Sequence, residues 1–517
     1  MNSSAPVTVN ESAGPAPVKT RPRNLVISGT NFWNPGDDFV RDGIIRILRE
    51  VFGGAPLNFL FYNFNADFFP QSKFSGIADF LSEGDLDKYR DDIDAIIIAG
   101  LPAGDELKDL YYWILANGLE GRVCVLGAGY ENSYIAHHIA GEPEATVFRN
   151  ARIVTGRTAR TPEFIRAKRI QYHHIHCPAI LSVPTVKEIL PGKKIERIGF
   201  SIQLPQGEGI SNHACAAELY DLSVQILREL SVQHPVEVVA HHKTEYFHFL
   251  NLLRGENIPV VFSSFYRDLF ELYPRYDLMI TTRLHAGLFA NGHGIPGIII
   301  NDTDRHTHTL EGFPHSVWVN NRAQFDRALA RWREADLAAI AREAEEFKQR
   351  LLARYLGVLR PVLDNDAKPA LRMTPERSGE LKAALLARRI EYGRGVHLQE
   401  GTTRWVSNYG ELRLPTQRLS GPAALALTLG IGDLWCYKAD HLQTTVNLDG
   451  KRVRQAAFTE DKQEFKLTIP LQPSDRTQVL TLESSASFVP REIDENSRDR
   501  RRLAVKLSDV NILLHEQ

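Results

Sequence analysis

A chain of 517 residues is too long for one ordinary domain and should fold as two or three. Its 61 basic and 63 acidic residues nearly cancel; a net charge of −2 excludes general attraction to nucleic acid or an anionic membrane and leaves only local basic pockets. No apolar run nears the roughly 20 residues that span a bilayer, no secretory signal is legible, and Cys124, Cys177, Cys215 and Cys436 show no CxxC spacing, as expected of reduced thiols in a cytosolic protein.

Residues 1–23 are rich in Ala, Pro, Ser and Thr without apolar periodicity and read as a disordered leader. From Asn24, strands are predicted at 24–28, 57–63, 93–99 and 122–126, with helices at 37–51 and 106–117. Continuous apolar strands separated by helices indicate βαβ units and a buried parallel sheet. The pattern restarts after a Pro-containing stretch at 182–194. Strands follow at 198–202, 236–240, 260–262, 278–281 and 297–300, with helices at 214–232 and from about residue 284. Two Rossmann-like lobes, 24–190 and 191–365, are therefore expected, with ligands at the carboxyl edges of their strands.

Residues 322–357 read as one long amphipathic helical stretch ending near Pro361, and 375–389 as a helix in a connector spanning 366–395. Beyond Gly395 the pattern changes to period two, in Ala424–Leu429, Phe465–Leu471, Val479–Leu482 and Leu503–Leu507, with a DG turn at Asp449–Gly450. These features predict a β-sandwich over 396–517.

Three segments carry candidate chemistry. Asn34-Pro35-Gly36-Asp37 lies between the first strand and helix, where Gly36 permits close approach of a ligand and the helix N-terminus favours an anion. Asp37 would equally serve as a helix cap. Thr281-Thr282-Arg283-Leu284-His285 follows a second-lobe strand and offers an arginine fork for phosphate or carboxylate beside a histidine able to move a proton. The alternative there is an arginine paired to a buried carboxylate and a capping histidine. Arg157, after Ile153-Val154, is a further cationic fork at a strand end.

The run His173-His174-Ile175-His176 lacks a fourth ligand at a recognised zinc spacing and reads as structural. His241-His242 and His306/His308, the latter after Asp302 and Asp304, stay ambiguous. No P-loop is present, and Gly127-Ala128-Gly129 does not complete a dinucleotide fingerprint.

Taken together, Asn34, Gly36 and Asp37, then Thr281, Arg283, Leu284 and His285, then Gly294 and Pro296, resemble the N-x-G-D start, [ST]-x-R-L-H motif and trailing G-x-P of the polysaccharide pyruvyl transferase family. The resemblance covers about residues 24–330 and departs from the family where the chain reads Ala99-Gly100-Leu101-Pro102-Ala103-Gly104 after the third strand. It implies two GT-B-like lobes, phosphoenolpyruvate as co-substrate and a glycan or lipid-linked saccharide as acceptor, with no metal or nucleotide cofactor. Arg283 and Arg157 would clamp the donor, His285 would act as acid or phosphate partner, Asp37 as base or acceptor-positioning group, and Asn34 and Gly36 would line the site.

A cytoplasmic enzyme, peripheral to the inner membrane through its acceptor and open to homo-oligomerisation, is the corresponding expectation. The C-terminal sandwich resembles those appended to some bacterial glycosyltransferases through Phe488-Val489-Pro490 and Arg498–Val505. Trp405, Tyr409 and Trp435 would engage glycan there or else fill its core. The rival expectations are a nucleotide-sugar glycosyltransferase with the same lobes, and a non-catalytic glycan-binding protein.

Overall fold

Apolar strands in parallel order assemble two doubly wound sheets in the computed structural model of the protein. The structure describes residues 22–28, 35–62, 80–81, 86–100, 105–129, 142–159, 161–205, 213–263, 265–301, 309–313, 315–363, 375–388, 390–400, 403–419, 421–431, 434–437, 439, 441–490, 497, 499 and 501–514. These group into two compact units, one drawn from 1–104, 122–140 and 151–368, the other from 105–121, 141–150 and 369–517.

In the first unit, one sheet is built from β1 (Arg23–Ser28), β2 (Leu57–Tyr62), β3 (Phe80–Leu81), β4 (Ile93–Ala99), β5 (Val123–Ala128), β6 (Ile153–Gly156) and β7 (His173–His174). Their order is β3-β2-β1-β4-β5-β6-β7, every pair parallel. The second sheet contains β8 (Ile198–Ser201), β9 (Val236–Ala240), β10 (Val260–Phe262), β11 (Leu278–Thr281), β12 (Gly297–Ile300) and β13 (Ser316–Val319), in the order β10-β9-β8-β11-β12-β13 and again parallel. In both sheets the winding reverses beside the first strand, between β1 and β4 and between β8 and β11. A crevice for ligands opens at such a point because the flanking connections leave on opposite faces.

Helix α1 (Pro35–Val51) follows β1 and explains how the two sheets share a core. Its apolar face buries Phe39, Val40, Ile44, Ile47 and Leu48 in one cluster with Met279, Leu288 and Phe289 from the second lobe. Phe39 stacks on Phe289 with ring centroids 3.8 Å apart. Gly43 is required in this helix, since a Cβ there would strike the carbonyl oxygen of Pro178.

The 322–357 stretch proves to be two helices, Arg322–Glu334 and Leu337–Leu363, parted at Ala335–Asp336 where the Asp336 carboxylate accepts from the Ala338 amide at 3.0 Å. Pro361 does not end the second, because a proline two residues before a helix terminus removes only one late backbone bond. This long helix ties the lobes together. Tyr355 donates to the His176 carbonyl and Arg354 to that of His174, both at 2.9 Å, while Lys348 donates to the Gly292 carbonyl.

The second unit holds the sandwich, whose two five-stranded antiparallel sheets pack around Leu412, Leu425, Val446, Ile469 and Leu482. The Asp449-Gly450 turn joins strands Leu442–Leu448 and Lys451–Phe458 as expected. The last strand runs Val505–Leu514 rather than 503–507, and Leu503 makes only an isolated bridge to Phe488. Helices Asp105–Ala116 and Glu142–Asn150 lie between first-sheet strands in sequence but group with this unit, where Tyr111 meets Phe148 edge to face at 5.8 Å. A contiguous reading of lobe boundaries does not anticipate that grouping.

Lys348 supplies a test of the fold. Burial pushes its ammonium down to about 8, against 10.5 for an ordinary lysine. Between those values the unfolded chain holds a proton that the folded chain lacks, so this group makes stability rise with pH. The stability difference between wild type and Lys348→Met, from urea denaturation, should therefore move in favour of the wild type as pH climbs above about 8 and stay flat below it.

Candidate active site

Among the described residues, a hydrogen bond between Arg157 and His285 joins the facing edges of the two sheets. Arg157 leaves the end of β6 with its backbone amide donating to the Ala128 carbonyl at 3.0 Å, and its side chain is fully buried. Guanidinium Nη1 lies 2.8 Å from Nε2 of His285. A guanidinium has no acceptor, so the lone pair must belong to His285 Nε2, which places the imidazole proton on Nδ1. The other two nitrogens of the fork, Nε and Nη2, are buried and have no hydrogen-bond partner among the described residues. A buried cation with two uncommitted donors has the hydrogen-bonding capacity to take a carboxylate or phosphate.

Glycines create the space. A Cβ at Gly129 would collide with the Arg157 guanidinium, and one at Gly36 with His285 Nδ1. Gly36 sits in the first turn of α1, so the His285 ring lies against that helix N-terminus. Tyr172 closes the side of the site near Gly156, donating to the Thr158 carbonyl at 2.9 Å, and burial pushes its phenol up to about 12.

His285 is aimed by the turn that precedes it. The Thr281 hydroxyl donates to the Ser201 carbonyl at 2.7 Å and accepts from the Arg283 amide at 2.8 Å. The Thr282 hydroxyl accepts from the Gln203 amide at 2.8 Å. These bonds lock the end of β11 to that of β8, so the helix Leu284–Gly292 starts at the second switch point.

Arg283 points elsewhere. Its guanidinium pairs with Glu245, a buried carboxylate that also accepts from the amides of His241 and His242. This is the buried-carboxylate pairing that the sequence left open, although the Nε of Arg283 has no partner among the described residues. Behind the pair, His241 Nε2 lies 2.7 Å from the Tyr273 hydroxyl, and burial holds that imidazole well below its ordinary value and therefore neutral at pH 7.

The structure thus brings together Gly36, Arg157 and His285. Asp37 stands beside Gly36 in the first turn of α1, half-buried, and not before the helix as a cap. Asn34, the Leu101–Gly104 departure, Asp302, Asp304, His306 and His308 lie outside the described residues. His174 and His176 touch at 5.0 Å between ring centroids, and burial pushes His176 down to about 4 beside Phe313 and Phe347. Among the described residues no three metal-ligating side chains converge.

Sequence reasoning missed Glu245, Gly129 and Tyr172. Gly127-Ala128-Gly129 was visible only as a failed dinucleotide motif, whereas its last glycine makes room for a guanidinium. Glu245 occupies the third position of a capping box led by His242, a residue outside the usual Ser/Thr signature.

Fold and site define a two-lobed α/β protein with a buried guanidinium at the facing switch points. Residues 34–304, just over half the chain, match the model of the family described as polysaccharide pyruvyl transferase. The chain belongs to that family; it is a transferase, and membership supports polysaccharide pyruvylation as its activity. No curated protein matches the chain.

Among solved structures it is similar to a UDP-GlcNAc 2-epimerase from Methanocaldococcus jannaschii, at 12% identity and a TM-score of 0.41 over 63% of this chain and 99% of that one. The UDP-GlcNAc 2-epimerase from Neisseria meningitidis gives 10%, 0.43, 66% and 100%. Sucrose-phosphate synthase from Thermosynechococcus elongatus gives 12%, 0.41, 66% and 100%.

The tautomer is measurable. In protein with 15N-labelled histidine, His285 should show a protonated Nδ1 and an unprotonated, hydrogen-bonded Nε2. Gly36→Ala should abolish that signature by displacing the ring. A proton found on Nε2 in the wild type would mean that Arg157 is not its donor.

Proposed function

We propose that the protein transfers the pyruvyl group of phosphoenolpyruvate to two hydroxyls of a glycan, forming a cyclic ketal and releasing phosphate. The observation that carries this reading is Arg157, a buried cation with two unpartnered N–H groups facing a histidine and a helix N-terminus. Phosphoenolpyruvate bears a carboxylate and a phosphate, and it requires at least two positive elements. Arg157 supplies one, and the amides opening α1 supply a second. Arg283, already neutralised by Glu245, contributes its remaining Nε.

In the proposed sequence, His285 gives its Nδ1 proton to the methylene carbon of the donor, making the adjacent carbon electrophilic. One glycan hydroxyl adds there as Asp37 takes its proton. A second hydroxyl then displaces the phosphate, which leaves as hydrogen phosphate with the proton held by Asp37, while the second hydroxyl's own proton returns to His285 as the ketal closes. The scheme consumes one phosphoenolpyruvate and one diol, and it runs without metal or nucleotide. A cytoplasmic location, where phosphoenolpyruvate is made, accords with it.

Purified protein incubated with phosphoenolpyruvate and candidate glycans should release phosphate, and phosphoenolpyruvate alone should raise the melting temperature where a nucleoside diphosphate does not. Arg157→Lys keeps the charge but loses the fork. Losing one such contact to an ionised substrate costs on the order of 2–5 kcal/mol, so turnover should fall roughly 30-fold or more and the donor-induced melting shift should vanish. Stabilisation by the nucleotide instead would assign the site to a sugar-nucleotide transferase.

A further inference from the structure

The carboxylate of Glu245 does two jobs at once. It occupies the third position of the capping box that opens the helix Lys243–Leu252, where Oε2 accepts from the amides of His241 at 3.0 Å and His242 at 3.2 Å. Its other oxygen, Oε1, accepts from Nη2 of Arg283. The side chain of Glu245 is 3% exposed and that of Arg283 17%.

Only the second job needs a charge. A glutamine closes a capping box as a glutamate does, because the backbone amides ask only for an acceptor oxygen. A buried ion pair is also a poor device for stability, since desolvating both partners offsets most of their attraction. The charge of Glu245 is therefore explained by Arg283 and not by the helix it starts.

The surroundings leave the two charges to each other. His241 Nε2 lies 2.7 Å from the Tyr273 hydroxyl. Burial, and then the Arg283 charge, hold that imidazole well below its ordinary value, while burial pushes the Tyr273 phenol up. Both groups are neutral at pH 7, and among the described residues no second carboxylate pairs with Arg283. The pair bridges the turn after β9 to the turn after β11, across β8 in the sheet order, so it stands at the carboxyl edge that carries His285. The Arg283 amide is already fixed on the Thr281 hydroxyl at 2.8 Å, which leaves Glu245 to direct the side chain.

We infer that Glu245 is a positioning residue that sets the charge of the crevice. It holds Arg283 aside and balances it, so that of the two arginines Arg157 alone presents an uncompensated guanidinium. The inference rests on the proposed transfer, whose product is inorganic phosphate. Two free guanidiniums would retain that anion, whereas one lets it leave.

Phosphate binding by the full chain, read by calorimetry without donor or glycan, tests this apart from catalysis. Glu245→Gln keeps an acceptor for both amides and frees Arg283, so it should bind inorganic phosphate about tenfold or more tighter than the wild type. Adding Arg283→Gln should abolish that gain. In the transfer assay Glu245→Gln should lower both the KM for phosphoenolpyruvate and kcat, because phosphate leaves slowly, whereas a merely structural loss raises KM. If the single variant unfolds in phosphate-free buffer, phosphate should restore its melting temperature by replacing the lost carboxylate. Unchanged or weaker phosphate binding, a gain that persists without Arg283, or an unfolded variant that phosphate does not rescue would each overturn the inference. A wild type that ignores phosphoenolpyruvate, with the phosphate comparison as expected, would strike the proposed transfer alone and leave the charge-balancing role of Glu245 standing.

Discussion

The contact between Arg157 and His285 is the constraint to which the rest of the first unit answers. It joins the end of a first-sheet strand to the first turn of a second-lobe helix, and it buries a guanidinium with two donors unused. Such a group is costly to desolvate. The structure accommodates it by removing side chains around it, at Gly36 and Gly129, and by fastening the surrounding turns with Thr281, Thr282 and Tyr172. A guanidinium held this way is preorganised, with the backbone around it already fixed.

The two arginines of the site differ in consequence. Arg283 has a carboxylate partner at hand, so its charge is balanced before any ligand arrives. Arg157 meets the His285 imidazole and, at 3.9 Å, the Cys177 sulfur, and no carboxylate pairs with it among the described residues.

The parallel sheets were legible because their strands are continuous apolar runs: β4, β9, β10, β11 and β12 have the boundaries that the sequence predicts. The break at Ala335–Asp336 was hidden because an aspartate-capped junction of two helices preserves the amphipathic period. The regrouping of helices 105–116 and 142–150 was hidden because periodicity tells which face is apolar, not what covers it. At the site, Gly36, Arg157 and His285 were found from strand-end position and motif. Their contact, and the capture of Arg283 by Glu245, depend on residues 38 or more positions apart, which no local pattern encodes. In the sandwich, Trp405 lies half-buried, edge to face with Phe488 and beneath Lys506, and Tyr409 bonds Glu411; the side chain of Trp435 is outside the described residues.

A crystal structure of the protein with phosphoenolpyruvate tests the central claim most directly. The account predicts a donor carboxylate or phosphate oxygen within hydrogen-bond reach of Arg157 Nε and Nη2, with the methylene carbon turned toward His285. A donor bound away from Arg157, with that guanidinium still held only by His285, would contradict it.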